Sequence, residues 1–186
     1  LLECAKDGQL VGHLTLGRGA LDSIRLHVDP ATTNILLLGT NLLARSLALE
    51  LTLSGTSGIT IADPWDGQAK GLADAVNTIE GGHATVVEDE LPPTCESVDI
   101  VIATEEIRPF PPNFHLPELR EDLVVVDTSL DPKASPILKA ATAANSCQVD
   151  GLEVTTATMA INFRSLTGIE PDTEALREAL DEFLDY

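Results

Sequence analysis

Between residues 34 and 150, short apolar runs alternate with segments whose apolar residues recur at helical spacing, and this alternation restricts the chain to one class of fold. Residues 34–38 are a continuous apolar strand, and 42–53 follow as a helix with Leu42, Leu43, Leu47 and Leu49 available for packing. GITIAD (58–63) is a second strand, broken by Pro64, and 66–76 form a helix. HATVVED (83–89), SVDIVIAT (97–104) and DLVVVD (122–127) are further strands, and CQVDG (147–151) is a short sixth. Between the last two, SPILKAATAANS (135–146) is a helix with Ser135 as its cap and Pro136 at its first position. Strand–helix–strand repetition implies right-handed crossovers and a parallel sheet with helices on its faces. Aromatic residues are only 3% of the chain, so the core is aliphatic, as parallel sheets favour.

The ends of the chain differ from this middle. Residues 1–16 read as two short strands about Asp7-Gly8, and RGALDSIRLHV (18–28) as a helix ended by Pro30. Residues 154–166 form a helix that Gly168 terminates. PDTEALREALDEFLDY closes the chain, with Asp172 as cap and Ala175, Leu176, Ala179, Leu180 and Phe183 on one face.

Charge removes several functions. The formal net charge is −19, a field that repels DNA, RNA and anionic membranes. No apolar run reaches the length of a membrane helix. Cys4, Cys95 and Cys147 lie far apart without CxxC spacing, which reads as reduced thiols in a cytoplasmic protein. The four histidines are scattered, and no metal site is expected. No Ser-His-Asp set, Cys-His pair or pair of catalytic carboxylates is recognisable along the chain. Ligands of parallel sheets sit at the carboxyl ends of the strands, which places a candidate site near Gly39, Asp63 and Thr104.

Several motifs, in order, now bring in a family. DGQLVGHLTLGRGALDSIR is similar to the shikimate dehydrogenase segment DGxLVGxNTDGxGFxxxL. ILLLGTNLLARSLALEL stands where that family has a strand, a GxGGxxR loop and a helix. VDIVIAT, VVVDTSLDPKASPILKAA and DGLEVTTATMAINFRSLTGIEP resemble three further segments of the same family. The resemblance covers essentially the whole chain and implies a Rossmann-like, doubly wound, mainly parallel α/β domain over residues 1–186. Within it, 1–30 would be the inter-domain hairpin and helix, and 151–186 the C-terminal helices. The family also carries an N-terminal substrate domain of about 100 residues, an ordinary domain size, which has no counterpart in this sequence.

What the family implies for the site is mixed. Its reaction moves a hydride between a nicotinamide cofactor and shikimate or 3-dehydroshikimate. The proton-transfer aspartate of its NTDG motif is Leu16 here, in Leu14-Thr15-Leu16-Gly17, so no catalytic residue is assigned. General acid–base help is typically worth about 10²–10⁴ in rate, so the change is large. Lys6, the nearest lysine, is a solvated turn residue on its plainer reading. Thr15 is retained, and Thr158 stands at the family's substrate-binding glutamine; both are candidate substrate contacts. The phosphate loop reads Gly39-Thr40-Asn41-Leu42-Leu43-Ala44-Arg45, with Asn41 and Leu42 in place of two glycines. Asparagine tolerates the left-handed turn, while the Leu42 side chain is expected to point into the anion site. Arg45 faces a phosphate or an acid, the acid being the plainer partner. Asp63 follows Gly39 at about the 20-residue interval of a ribose-binding acid, or simply opens the loop before Pro64. Without the family's arginine beside it, it favours NAD over NADP.

Trp65 reads as a stacking surface for adenine or a lid on the sheet edge, and Glu105-Glu106 as a solvated loop. Glu153 falls on a family glycine and is expected to put a carboxylate where a nicotinamide would lie, whereas Gly151 is kept as a cofactor contact. The resemblance therefore implies either a catalytically impaired, pseudoenzyme-like module or an active shikimate/quinate-type oxidoreductase whose substrate domain is supplied elsewhere. Its expected partners are a nicotinamide dinucleotide, a second copy, or a protein of the shikimate pathway of aromatic amino acid biosynthesis, where fusions to 3-dehydroquinate dehydratase occur.

Overall fold

A computed structural model describes residues 1–65, 67–87, 95–104, 111, 114–131 and 135–184. The chain opens with a hairpin of β1 (Leu2–Cys4) and β2 (Leu10–Gly12), whose turn is tied by the Asp7 carboxylate accepting from the Gln9 amide at 3.1 Å. Helix α1 (Leu16–Ile24) follows. Six strands then form one all-parallel sheet: β3 (Asn34–Leu38), β4 (Gly58–Ala62), β5 (Ala84–Val86), β6 (Ile100–Ala103), β7 (Val124–Asp127) and β8 (Cys147–Val149). Their spatial order is β5-β4-β3-β6-β7-β8. This is the doubly wound Rossmann order, and its direction reverses between β3 and β6, the crevice where such sheets bind ligands.

Helices α2 (Leu42–Leu53), α3 (Ala69–Asn77), α4 (Pro136–Ala144) and α5 (Gly151–Thr167) cover the sheet, and α6 (Thr173–Leu184) packs on α5. Strand alternation divides the core. Ile35 and Leu37 face a layer that includes Leu21 of α1, Leu47 and Leu51 of α2 and Val154 of α5. Leu36 and Leu38 face the layer of Ile137 and Ala141 on α4. These four apolar side chains of β3 are 0–1% exposed, as expected of a central strand buried on both faces, while Asn34 at its start is exposed.

Three helix boundaries and one helix face depart from the sequence reading. Helix α1 ends at Ile24, well before Pro30, because the chain tightens into turns in which Leu26 and His27 donate to carbonyls three residues back. Helix α3 begins at Ala69, after Gly67 bends the chain with φ +64°. Helix α5 begins at Gly151, earlier than residue 154, because the Asp150 side chain caps it by accepting from the Glu153 amide at 2.8 Å. The buried face of α6 is rotated by one position. Leu176, Leu180 and Leu184 are half-buried, whereas Ala175, Ala179 and Phe183 are exposed, Phe183 by 84%. The Arg177 guanidinium sets this rotation by gripping the Asp150 carboxylate, with N···O distances of 3.3 and 3.0 Å. Asp172 caps α6 as expected, accepting from the Glu174 and Ala175 amides at 3.1 Å.

Candidate functional site

The turn from β3 into α2 begins at Gly39, whose φ of +103° strongly favours glycine. Its amide donates to the Ala62 carbonyl at 2.8 Å, so the turn is tied to the end of β4. Asn41 then caps α2. Its side-chain oxygen accepts from the Ala44 amide at 2.9 Å, and its Nδ2 donates to the Thr104 carbonyl at the end of β6. One side chain thus spans the crevice between β3 and β6 and occupies part of the helix N-terminus that an anion would otherwise use. Thr104 is buried, and its hydroxyl donates to the Leu38 carbonyl at 3.1 Å.

Leu42, the first residue of α2, is 59% exposed at the helix N-terminus. Arg45 departs from the expectation drawn from sequence. Among the described residues its guanidinium has no carboxylate partner; its Nε donates to the Thr40 carbonyl at 3.0 Å, and Thr40 belongs to the loop itself.

Asp63 ends β4. Its carboxylate accepts from the Thr40 hydroxyl at 2.7 Å, the Gln68 amide at 2.8 Å and the Trp65 amide at 3.1 Å. These bonds hold the loop toward α3 and join it to the Gly39 turn. The acid is at the right strand end for a ribose, and it is already engaged. Trp65 is half-buried beside it.

The positions expected to touch substrate lie elsewhere. Thr15 is the half-buried residue before α1 and makes no side-chain cap bond. Leu16 is the first residue of that helix and is 37% exposed. Thr158 is buried in the contact of α1 with α5, where its hydroxyl donates to the Val154 carbonyl at 2.9 Å. It faces Gly19, at which an added Cβ would stand 2.0 Å from the Thr158 hydroxyl oxygen. This threonine therefore serves packing. Gly151 also lies against backbone: a Cβ there would meet the Ser129 carbonyl oxygen at 2.1 Å. Lys6 is exposed in the hairpin turn. Glu105, Glu106 and most of the Pro-rich stretch that follows lie outside the described residues.

Beside the crevice, Asp127 ends β7 and is buried. It accepts from the Ser129 amide at 2.8 Å and from the Ser135 hydroxyl, while Ser135 accepts from the Leu138 amide at 3.1 Å as the cap of α4. Burial pushes the Asp127 carboxyl above its ordinary range, and the Ser135 and Ser129 bonds oppose the shift.

Glu153 stands at the position where the resemblance would put a carboxylate near a nicotinamide. Glu153 turns to His27, whose Nε2 lies 2.8 Å from Oε1. The other ring nitrogen, Nδ1, lies 3.4 Å from the Cys147 sulfur. A Cys-His pair is therefore present although none was legible along the chain. Its members are 120 residues apart, and no short motif signals them.

No family model matches the chain. Its sequence is 27% identical over 187 residues to a shikimate dehydrogenase (NADP(+)) of Methanopyrus kandleri, covering 95% of this chain and 64% of that protein. A shikimate dehydrogenase (NADP(+)) of Methanocaldococcus jannaschii is 29% identical over 185 residues, covering 94% of this chain and 64% of its own length. The chain is similar in sequence to shikimate dehydrogenases along nearly its whole length. It corresponds to their C-terminal, NAD(P)-binding part and spans about 64% of the length of these relatives.

Solved structures agree with the shikimate dehydrogenase relationship. A shikimate dehydrogenase in complex with NADP+ superposes with a TM-score of 0.74 at 26% identity, over 98% of this chain and 66% of the other. Quinate dehydrogenase from Corynebacterium glutamicum in complex with NAD gives 0.76 at 25%, over 100% and 67%. The ligand-free 5-ketofructose reductase of Gluconobacter sp. strain CHM43 gives 0.85 at 26%, over 98% and 67%. Among the described residues no helix is long and apolar enough to cross a membrane, and no cluster of metal-ligating side chains occurs.

Proposed function

We propose that residues 1–186 form a single shikimate-dehydrogenase-like module that has lost proton-transfer chemistry and retains a weak site for a nicotinamide dinucleotide. The observation that carries this reading is Leu16. It opens α1 where the family's aspartate would stand, and its aliphatic side chain neither accepts a proton nor bonds a substrate hydroxyl. Arg18, the ionisable residue of that first turn, is paired with Asp22 at 3.2 Å and Glu50 at 3.5 Å.

The dinucleotide reading rests on Arg45 and the Gly39 turn, which retain positive potential at the strand ends. Gly39, Thr40, Asn41, Leu42, Asp63, Thr104 and Gly151 are its proposed contacts. The relatives use NADP or NAD. In this chain Ala62-Asp63-Pro64 offers an acid and no arginine, which supports NAD. Bound there, a nicotinamide would supply hydride chemistry. The residues around it would only hold and orient it, because no acid or base of this chain is assigned to move the accompanying proton.

Titration of the folded chain with NAD and NADP tests the proposal, with the fluorescence of Trp65, the single tryptophan, as one readout and calorimetry as another. The expected result is NAD binding with a Kd on the order of 1 mM, about −4 kcal/mol. NADP should bind more weakly, and no shikimate-dependent reduction of either should be seen. Turnover by this chain alone would overturn the loss of proton transfer, and tighter binding of NADP would overturn the cofactor preference.

A further inference from the structure

The sheet edge at β8 carries a second assembly, remote in sequence from the phosphate loop. Cys147 opens β8 and is exposed; its amide donates to the Leu123 carbonyl at 3.0 Å, which fixes the residue on the strand. His27 follows α1 and is held by its amide bond to the Ile24 carbonyl. Glu153 sits in the first turn of α5, its amide bound by the Asp150 cap. Three separately anchored segments thus meet at one imidazole.

The geometry is that of a nucleophile, a base and a group that orients the base. With Nε2–H donated to Glu153 at 2.8 Å, the Nδ1 lone pair faces the Cys147 sulfur at 3.4 Å. Side-chain exposures of 29% for His27 and 25% for Glu153 leave the pair reachable from solvent yet partly shielded. Glu153 also forms one wall of a cleft of about 510 Å³, whose other walls include Leu26, Ala157, Thr173, Glu174 and Glu178. Arg177, its one cation, is committed to Asp150 at 3.0 Å and Asp181 at 3.6 Å, so the cleft is net acidic.

We propose that Cys147, His27 and Glu153 form a thiol–disulfide exchange site that takes small cationic disulfides. The Cys147 thiol passes its proton to His27 Nδ1 as its sulfur attacks one sulfur of the incoming disulfide. A new Cys147–S–S–R bond forms while the disulfide's own S–S bond breaks. The departing sulfur leaves with that electron pair and takes the proton from His27. Cys147 is oxidised, the small disulfide is reduced to one thiol, and nothing else is consumed. Glu153 is a positioning residue, acting through the imidazole. The acidic cleft favours a disulfide with amino substituents over one bearing carboxylates.

The experiment uses cystamine as the probe and oxidised glutathione as its anionic counterpart, near neutral pH, with modification of each cysteine followed by peptide mass spectrometry. The other two cysteines supply internal standards. Cys4 is exposed and, among the described residues, bonds the Ala5 carbonyl at 3.8 Å, so it serves as the unassisted reference thiol. Cys95 is buried and its thiol is pushed up to about 11, desolvation outweighing the nearby Arg120, so its protection reports an intact fold. Cys147 should react with cystamine about tenfold or more faster than Cys4, a modest effect for general base assistance. His27→Gln should bring it to the Cys4 rate. Glu153→Ala should remove most of the advantage, and Glu153→Gln, which keeps an acceptor for Nε2–H, should restore part of it. Cystamine should be preferred over oxidised glutathione more strongly at Cys147 than at Cys4. Equal rates at Cys147 and Cys4, or indifference to His27→Gln while Cys95 stays protected, would overturn the site. Equal preference at both cysteines would overturn the cationic class.

Discussion

The crossing of α1 with its neighbours and the turn from β3 into α2 have treated small residues in opposite ways. At Gly17 an added Cβ would lie 2.4 Å from the Ser46 carbonyl carbon and 2.6 Å from the Leu47 amide. At Gly19 it would lie 2.8 Å from the Thr158 backbone. Both glycines are present, as in the NTDGxG part of the family segment that the chain resembles. In the turn, only Gly39 remains, where φ is +103°, and side chains stand at Asn41 and Leu42. Helix packing needs the missing Cβ whatever the protein does. A loop that leaves room for a pyrophosphate needs it only if the pyrophosphate matters. The contrast accords with the proposed weak nucleotide site on a retained architecture.

The strongest way to break that comparison is Gly17→Ala. Helix propensity alone would favour the alanine by about 1 kcal/mol. The collision is with backbone, which cannot rotate away, and overpacking of this kind costs typically about 1–3 kcal/mol or more. The expected outcome is a net loss of about 2 kcal/mol, read as a lower urea midpoint at unchanged slope. A gain in stability would mean that α1 and α2 are not in close contact and that Gly17 is retained for another reason.

Asp127→Ala is expected to follow, at roughly 1–2 kcal/mol at neutral pH. It leaves the Ser129 amide and Ser135 hydroxyl without their acceptor, each worth about 1–3 kcal/mol when buried, while relieving the burial of a carboxylate. The substitution also changes the response to pH. The folded protein holds the Asp127 proton more tightly than the unfolded chain does. Its contribution is therefore fully present below the unfolded carboxyl value and is lost as pH rises through the raised folded value. Wild type should lose stability across that acid window relative to Asp127→Ala, so the gap between them should widen on acidification. A gap that narrows instead would show that the carboxylate is held ionised.

The difference between the two regions also explains what could be read from the residues alone. The strands and the β3–Gly39–α2 turn follow from apolar periodicity and one glycine, both local properties, whereas the doubly wound arrangement is implied by the family resemblance. Ser135 and Pro136 mark the start of α4 by chemistry confined to a few residues. The errors arise where distant groups decide. The rotation of α6 follows from Arg177 meeting Asp150, 27 residues away. The partner of Arg45 is a backbone carbonyl, which no charge pattern predicts. Thr158 aligns with a substrate residue but is claimed by Gly19 across two helices. The Cys147–His27–Glu153 assembly spans separations of 120 and 126 residues and exists only once the sheet edge has formed.

Asn41→Gly sharpens the comparison at its finest point, because it has a small effect on stability and a distinct one on binding. Glycine is itself an acceptable cap, so losing the Ala44 bond costs only a few tenths of a kcal/mol. Losing the bond to the Thr104 carbonyl adds an ordinary hydrogen-bond contribution, for a total of about 1 kcal/mol. The same change removes the side chain that spans β3 and β6 and lets backbone approach a phosphate, the role of the second glycine in dinucleotide loops. NAD affinity should therefore rise, by about tenfold if one close backbone contact worth about 1.4 kcal/mol is regained. Calorimetric titration of the variant beside wild type would measure it. A variant that is destabilised yet binds no better would show that Asn41 does not obstruct the crevice, and that whatever weakens nucleotide binding lies outside the turn.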